Sequence, residues 1–218
     1  MNETTHKSGN RSQEILARAT ELFATHGFAG TSIRRIAKGC GITEAAIYRH
    51  YDSKLHLYEE VIRAKAAQHD IAGYLRNQAG KGSIVDALIA VSSHIMRLTR
   101  EDPAMVRLMF TNTLENGNAP TVLFQEIRMP YVEFLTREFE ARIAAGEIRP
   151  VTAFLTARCY VGMVLDCALN LGTWNLLFPP QTEPAEIYTN SATIFANGLT
   201  NHHGGAADGP SPQPGRTS

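Results

Sequence analysis

Apolar residues recur along this chain at helical spacing, and no stretch alternates apolar and polar residues as a half-buried strand does. The first helix is predicted from about Ser12 to His26 by an apolar stripe of Ile15, Leu16, Ala19, Leu22 and Phe23. The same spacing predicts later helices over 53 to the mid-70s, 84–100, 103–115, 120–146, 152–178 and 184–198. Pro130 falls inside one of them and predicts a kink. The pattern therefore predicts an all-α fold.

The stretch from Thr31 to Lys54 has the pattern of two short helices joined by a glycine turn. The first of them has one apolar face, formed by Ile33, Ile36 and Ala37, and Thr31 is its expected N-cap. Gly39 and Gly41 give the backbone the freedom that a sharp turn requires. Thr43 is the expected N-cap of the second helix. Two helices joined in this way form a helix-turn-helix, whose second helix can lie in a DNA major groove.

The second of these helices carries the side chains that are expected to contact DNA. Small residues at its start, which let the backbone approach base edges, are Thr43, Ala45 and Ala46. The side chains expected to contact phosphates or to support those contacts are Tyr48, Arg49, His50, Tyr51 and Lys54, with Thr31, Ser32 and Arg34 flanking them. Ala46, Ile47 and Tyr51 can also face inward. From the pattern alone, two packed helices with no role in DNA binding remain an equal alternative.

Residues 15–62, ILARATELFATHGFAGTSIRRIAKGCGITEAAIYRHYDSKLHLYEEVI, resemble the DNA-binding domain of the tetracycline-repressor (TetR) family of bacterial regulators. The matching features are the apolar first helix ending in HGF, IA followed by a glycine turn, the motif IYRHY, and SK followed by leucine. Cys40 departs from the family pattern, where a small apolar residue is usual. A redox role for Cys40 is conceivable, but a small buried residue is the favoured interpretation.

The resemblance implies a domain organisation. Residues 1–11 are expected to form a flexible arm, 12–56 the three-helix DNA-binding domain, 57–200 a helical ligand-binding and dimerisation domain, and 201–218 a disordered tail. In the family, the last two helices pair with those of a second copy. The resemblance therefore implies a homodimer that binds double-stranded DNA at a palindromic operator.

The resemblance also implies a ligand cavity within the middle helices. The side chains expected to line it are His94, Met105, Met109, Phe110, Asn112, Tyr131, Phe134, Met163, Asp166 and Trp174. Ordinary core packing is the alternative for each of them, because Met and aromatic residues at helical spacing usually form a core. Asp166 and Asn170 form a polar pair in an apolar helix, which faces either the cavity or the dimer interface.

Composition and charge limit the classes of function. The whole chain has 21 basic and 21 acidic residues, but residues 1–65 hold 10 Lys and Arg against 7 Asp and Glu. This modest excess of positive charge lies where the DNA-binding helices are predicted. No hydrolase, nucleotide-binding or metalloprotease motif is present, so the sequence gives no support for an enzyme, a cofactor or a metal site. The absence of an apolar leader and of any membrane-spanning segment predicts a cytoplasmic protein.

These observations together predict a transcriptional repressor that a small molecule releases from its operator. Two alternatives remain open. One is an activator or a ligand-independent regulator that uses the same DNA-binding domain. The other is a helical protein that binds small molecules and whose helix-turn-helix no longer binds DNA.

Overall fold

The computed structural model of the chain describes residues 3–114, 121–171 and 182–200. Within these ranges all the regular elements are helices, which confirms the all-α prediction. The α-helices are α1 (Glu3–His26), α2 (Ile33–Gly39), α3 (Glu44–Tyr48), α4 (Lys54–Gln68), α5 (Ile71–Gln78), α6 (Ile84–Glu101), α7 (Pro103–Leu114), α8 (Met129–Ala144), α9 (Ala153–Leu169) and α10 (Pro184–Leu199).

The amino-terminal helices α1 to α3 form one small domain around Phe23, Ile36 and Ile47, which are fully buried. Helix α3 begins at the predicted cap, because the Thr43 side chain accepts a hydrogen bond from the backbone N–H of Ala46. The cap of α2 is Ser32 rather than the predicted Thr31.

Helix α1 begins earlier than predicted. The sequence predicts a flexible arm over residues 1–11 and a helix from about Ser12, whereas the helix begins at Glu3. No proline interrupts residues 3–11, so the helical hydrogen bonding can continue through a polar stretch that has no apolar stripe of its own. Helix α1 packs against both α4 and α7, and it therefore connects the small domain to the rest of the chain.

The predicted single helix from 53 to the mid-70s is two helices. Ser53 caps α4 as predicted, but α4 ends at Gln68 and α5 begins at Ile71. Asp70 lies between them in the left-handed region, with φ of 42°, and its carboxylate accepts a hydrogen bond from the Gly73 backbone N–H. Aspartate tolerates this conformation because its short polar side chain can bond to nearby backbone.

Helix α6 is the central element of the larger domain and packs against α5, α7, α8, α9 and α10. Ser83 and Asp86 form a reciprocal capping box at its start. The predicted start of α7 is confirmed, since the Asp102 carboxylate accepts a hydrogen bond from the Met105 backbone N–H and Pro103 occupies the first helical position.

The helix type changes just before Pro130, where the sequence predicts a kink. A π-helical turn, Phe124–Arg128, leads directly into α8, and Pro130 lies in the first turn of α8. The predicted start of the long helix at Pro120, the predicted end of the next helix near Phe178 and the predicted tail 201–218 lie outside the described residues.

The end of α10 is attached to the connection between α8 and α9. The Arg149 backbone N–H donates to the Leu199 carbonyl at 2.8 Å, and the Arg149 side chain donates through Nε to the Gly198 carbonyl at 2.7 Å. Ile148 and Thr200 form a single antiparallel bridge beside these bonds. The end of α10 is therefore fixed near the start of α9. In the part of the chain that the structure describes, no helix is both long and apolar enough to cross a membrane.

Candidate functional site

Helices α2 and α3 present the candidate DNA-binding surface. Ile47 is fully buried and anchors α3 to the small domain, and the other residues of this short helix are exposed or, at Ala46, half-buried. The predicted contact residues Ser32, Arg34, Thr43, Ala45, Tyr48 and Arg49 are exposed, and Ala46 and His50 are half-buried. The small side chains lie at the start of α3 and the donors at its end, which is the arrangement that the sequence predicts.

Tyr51 supports α3 from inside the domain. Its side chain is 4% exposed, and its hydroxyl lies 2.8 Å from the Ser12 Oγ and donates to the Ser12 carbonyl at 3.2 Å. Tyr51 is predicted to contact phosphates or to support such contacts, and also to face inward. Its position agrees with the supporting, inward role. Tyr51 connects the end of α3 to α1.

Lys54 and Thr31 are also structural. The Lys54 ammonium donates to the carbonyls of Phe28 and Thr31 at 2.9 and 3.1 Å and lies 4.2 Å from the centre of the Phe28 ring. Thr31 is 1% exposed, and its hydroxyl contacts the carbonyls of Leu22 and Gly27. For Lys54 these bonds fit the supporting role, which is one of its two predicted roles. The predicted DNA contact of the Thr31 side chain is corrected, because that side chain is buried and its hydroxyl already serves two carbonyl groups.

Two basic residues that the sequence analysis did not select lie on the same surface. Arg35 and Lys38 are exposed on α2 together with the predicted Arg34, and α2 contains no acidic residue. Their position on the polar face of α2, opposite Ile33, Ile36 and Ala37, was the signal available in the sequence. The α2–α3 surface is thus more basic than the predicted set of residues indicates.

Only some of the residues predicted to line a ligand cavity lie together, among them His94, Met109 and Tyr131. Met105 and Phe134 are buried in the core, and Met109 and Tyr131 lie at a small interior cavity. Met163 and Asp166 are exposed on the outer side of α9, so the predicted cavity contact is wrong for both. The Asn170 amide donates to the Asp166 carboxylate at 3.2 Å. The side chains of Phe110 and Asn112, and all of Trp174, lie outside what the structure describes.

The interior cavity is very small. It has a volume of about 10 Å³ and lies among α6, α7, α8 and α9, lined by Ile95, Leu98, Thr99, Met109, Ile127, Arg128, Tyr131 and Leu165. Burial, and then the neighbouring Arg158 guanidinium, lower the pKa of Arg128. A cavity of this volume holds one water molecule at most.

A larger cleft of about 410 Å³ lies between α5, α6 and the start of α10. Its walls include Tyr74, Ser93, His94, Met96, Arg97, Arg100, Glu183, Pro184, Ala185 and Tyr188. The His94 ring is 2% exposed and stacks on the Tyr74 ring with their centres 4.0 Å apart. Burial, and then the Arg97 charge, lower the pKa of His94 to about 4, so its imidazole is neutral at pH 7.

A buried charged cluster links α4 to the start of α7. The Lys65 ammonium and the His69 Nε2 lie 2.8 and 2.9 Å from the same Asp102 carboxylate oxygen. Burial raises the pKa of Asp102, but the hydrogen bonds from Lys65, His69 and the Met105 backbone lower it by more than burial raises it. The net shift of the pKa is downward. The helix that follows the DNA-binding surface is thereby attached to the larger domain.

Comparisons with known proteins agree with these features. Residues 15–61 match the sequence model of a family described as bacterial regulatory proteins, tetR family. The chain is 25% identical over 161 residues to the HTH-type transcriptional repressor AcnR of Corynebacterium glutamicum, a match that covers 64% of this chain and 85% of the relative. It is 34% identical over 94 residues to the HTH-type transcriptional repressor KstR2 of Rhodococcus jostii, covering 41% and 45% of the two chains.

The fold also matches solved structures. The transcriptional regulator FadR from Bacillus subtilis, solved in complex with stearoyl-CoA, superposes with a TM-score of 0.66. The match covers 86% of this chain and 98% of FadR, at 18% sequence identity. At this identity the likeness establishes a common fold and says nothing about the ligand.

Proposed function

We propose that this chain, whose residues 15–61 match the tetR family of bacterial regulatory proteins, is a regulator of that family and represses transcription by occupying a palindromic operator as a homodimer. The observation that carries the proposal is the exposed face of α2 and α3. Its buried side is anchored by Ile36 and Ile47, and its outer side presents small residues next to basic ones. A protein that acts on bacterial DNA works in the cytoplasm, and we place this one there.

Base contacts are assigned to the start of α3. Thr43 and the two alanines that follow Glu44 can bring the helix backbone close to base edges, and their methyl groups can contact thymine methyl groups. Phosphate contacts are assigned to the donors of this surface, namely the exposed Ser32, Arg34, Arg35, Lys38, Tyr48 and Arg49 and the half-buried His50. Tyr51, Lys54 and Thr31 hold this surface in place from within.

Dimerisation is assigned to α9 and α10. Leu155 and Ile194 on these helices are 58% and 64% exposed, and Met163 is 38% exposed on the same side of α9 as Leu155 and Asp166. Apolar side chains exposed to this degree favour burial against a second copy of the chain. In such a dimer Asp166, with its hydrogen bond from Asn170, would lie at the interface rather than in a cavity.

Release by a small molecule is assigned to the larger domain. AcnR and KstR2 are named as repressors, and FadR was solved with stearoyl-CoA, so regulators with this fold include ligand-binding ones. A ligand that fits the larger domain better in one position of α4 would shift the spacing of the two DNA-binding domains. Lys65 and His69 give α4 a direct connection to α7 for this purpose.

The test is binding of the purified protein to the DNA upstream of its own gene and of neighbouring genes, over a series of salt concentrations. We expect sequence-selective binding with a steep salt dependence. Arg49→Ala should weaken binding to every sequence and reduce the salt slope by about one. Arg137→Ala, at an exposed arginine of α8, is the matched control and should change neither quantity. Equal binding of the unaltered protein to the upstream DNA and to random DNA at each salt concentration would contradict the proposal.

A further inference from the structure

The cleft between α5, α6 and α10 combines a hydrogen-bond donor on a largely buried ring, two arginines and an apolar wall. We propose that it binds a small amphipathic molecule through an anionic head, either a carboxylate or a phosphate. The proposal rests on the proposed function only for what such binding does to DNA affinity. Binding to the cleft can be measured without DNA.

The donor is the His94 imidazole. Its Nδ1 lies 2.7 Å from the Tyr131 hydroxyl, and within the described ranges this nitrogen is the only acceptor that the hydroxyl contacts. Buried hydroxyl groups donate their hydrogen, so Tyr131 donates to Nδ1. A neutral imidazole that accepts at Nδ1 carries its proton on Nε2. The tautomer of His94 is therefore fixed by Tyr131.

His94 Nε2–H has no hydrogen-bond partner among the described residues, although His94 is 2% exposed and forms part of the cleft wall. The Nε2 atom is accessible from the cleft, where a ligand oxygen can accept its hydrogen bond in place of water. The ring cannot easily turn away, because it is stacked on Tyr74, whose hydroxyl donates to the Ala90 carbonyl. The donor is thus held ready for an acceptor group.

The charge of the acceptor follows from Arg97 and Arg100. They lie three and six residues after His94 on α6, and both line the cleft. Arg97 lies 3.6 Å from Glu101 in an exposed pair, which leaves most of its donors available. The opposite wall includes the first turn of the 16-residue helix α10, whose positive end also favours an anion. Glu183 is the acidic residue of the wall, against two arginines.

The remainder of the ligand is apolar. Met96, Tyr188 and the Tyr74 ring supply an apolar wall beside the arginines, and a volume of about 410 Å³ suits a small organic molecule. The interior cavity of about 10 Å³ has no space for such a molecule. Tyr131 contacts His94 and lines that interior cavity. A ligand bonded to His94 Nε2 is therefore connected to the core through the hydrogen bond between His94 and Tyr131.

The first experiment uses 8-anilinonaphthalene-1-sulfonate, a fluorescent aromatic anion, and N-phenyl-1-naphthylamine, which lacks the sulfonate. We expect the anion to bind at one saturable site and the uncharged dye to bind about tenfold more weakly or not at all. Arg97→Gln and Arg100→Gln should each weaken binding of the anion about tenfold. Arg137→Gln on α8 is the matched control and should leave it unchanged. Displacement by octanoate or by octyl phosphate, with octanol as the uncharged control, distinguishes a carboxylate head from a phosphate head.

Equal binding of the two dyes, equal binding to the arginine variants and the control, or no saturable binding would each overturn the proposal. The effect on DNA is measured separately, with the upstream DNA fragment and increasing octanoate or octyl phosphate. Loss of DNA binding in their presence supports the proposal that a ligand releases the protein. Charge-dependent dye binding with DNA affinity unchanged would leave the cleft proposal standing and overturn release through this site.

Discussion

The Lys65 ammonium of α4 lies 2.8 Å from the Asp102 carboxylate that caps α7, and both side chains are largely buried. An ion pair in this position is strongly favourable only while both partners are present, because removing one leaves the other charge buried and unpaired. The pair therefore makes the position of α4 depend on the start of α7.

We expect Asp102→Asn to lower the free energy of unfolding by about 3–5 kcal/mol, because Lys65 then lacks its counter-charge. Asp102 has a lowered pKa, so its contribution to stability is present above its unfolded pKa of about 4 and is lost as the pH falls further. The variant should therefore show a flatter loss of stability below pH 4. Urea unfolding at several pH values measures both effects. Asp52→Asn, at a side chain that is 96% exposed, is the control and should stay within about 0.5 kcal/mol.

The pH dependence of stability should also show the lowered pKa of His94. The pKa of His94 is about 4 in the folded protein and 6.5 in the unfolded chain. Between these two pH values the unfolded chain binds a proton that the folded protein does not. The contribution of His94 to the free energy of unfolding is therefore fully present above pH 6.5. It is lost as the pH decreases towards 4, by about 3 kcal/mol in all. His94→Gln should remove this part of the pH dependence. An unchanged slope between pH 6.5 and 4 in the variant would show that another group is responsible. Nitrogen-15 NMR of the histidines should show His94 neutral at pH 6 with its proton on Nε2.

Tyr48 and Tyr51 should respond in opposite ways to removal of the hydroxyl. Tyr51→Phe loses the contacts with Ser12, and we expect it to cost about 0.5–1.5 kcal/mol of stability while the salt slope of DNA binding stays unchanged. Tyr48→Phe alters a side chain that is 49% exposed, so stability should stay the same and DNA affinity should fall. Denaturant unfolding measures the stability of the two variants, and DNA titrations measure their DNA affinity and its salt slope. A fall in stability for Tyr48→Phe would contradict the assignment.

Ala45→Leu should change the choice of DNA sequence. A longer side chain at this exposed position of α3 holds the backbone away from base edges, and we expect the preference for the operator over random DNA to fall about tenfold or more. Ala144→Leu, at an exposed position of α8, is the matched control. Competition titrations with operator and random DNA measure the ratio. The assignment of α3 is wrong if both variants keep the preference of the unaltered protein.

The oligomeric state tests the assignment of α9. Leu155→Lys places a charge where the dimer interface is proposed, and we expect monomers at concentrations where the unaltered protein is dimeric. Leu55→Lys, at a leucine of α4 that is 44% exposed, should leave the dimer intact. Sedimentation velocity over a concentration series measures the change. A dimer of unchanged affinity in Leu155→Lys would place the interface elsewhere.

The caps and the apolar stripes made most of the fold predictable from the sequence. Thr43, Ser53 and the Asp102–Pro103 pair mark helix starts through local chemistry, and the structure places the starts there. The break at Asp70 was missed because an aspartate in the left-handed conformation leaves no gap in the apolar pattern.

The candidate site was less predictable. Lys54 and Tyr51 carry donors that suit phosphates, yet the same donors bond to backbone carbonyls of the small domain, and only the fold decides between the two. Likewise Met163 and Asp166 lie in an apolar helix, but the side of α9 that they occupy depends on how α8 and α6 pack against it.

The attachment of Arg149 to the end of α10 has a consequence for assembly. Gly198 and Leu199 are bonded to the connection that precedes α9, and both helices pack against α6, so α9 and α10 are held together before any partner arrives. A second copy would then bind to a preformed surface. The conformational entropy that aligning the two helices costs is lost when the monomer folds, so it does not oppose dimerisation. Association should be correspondingly fast, and limited by diffusion and orientation rather than by rearrangement.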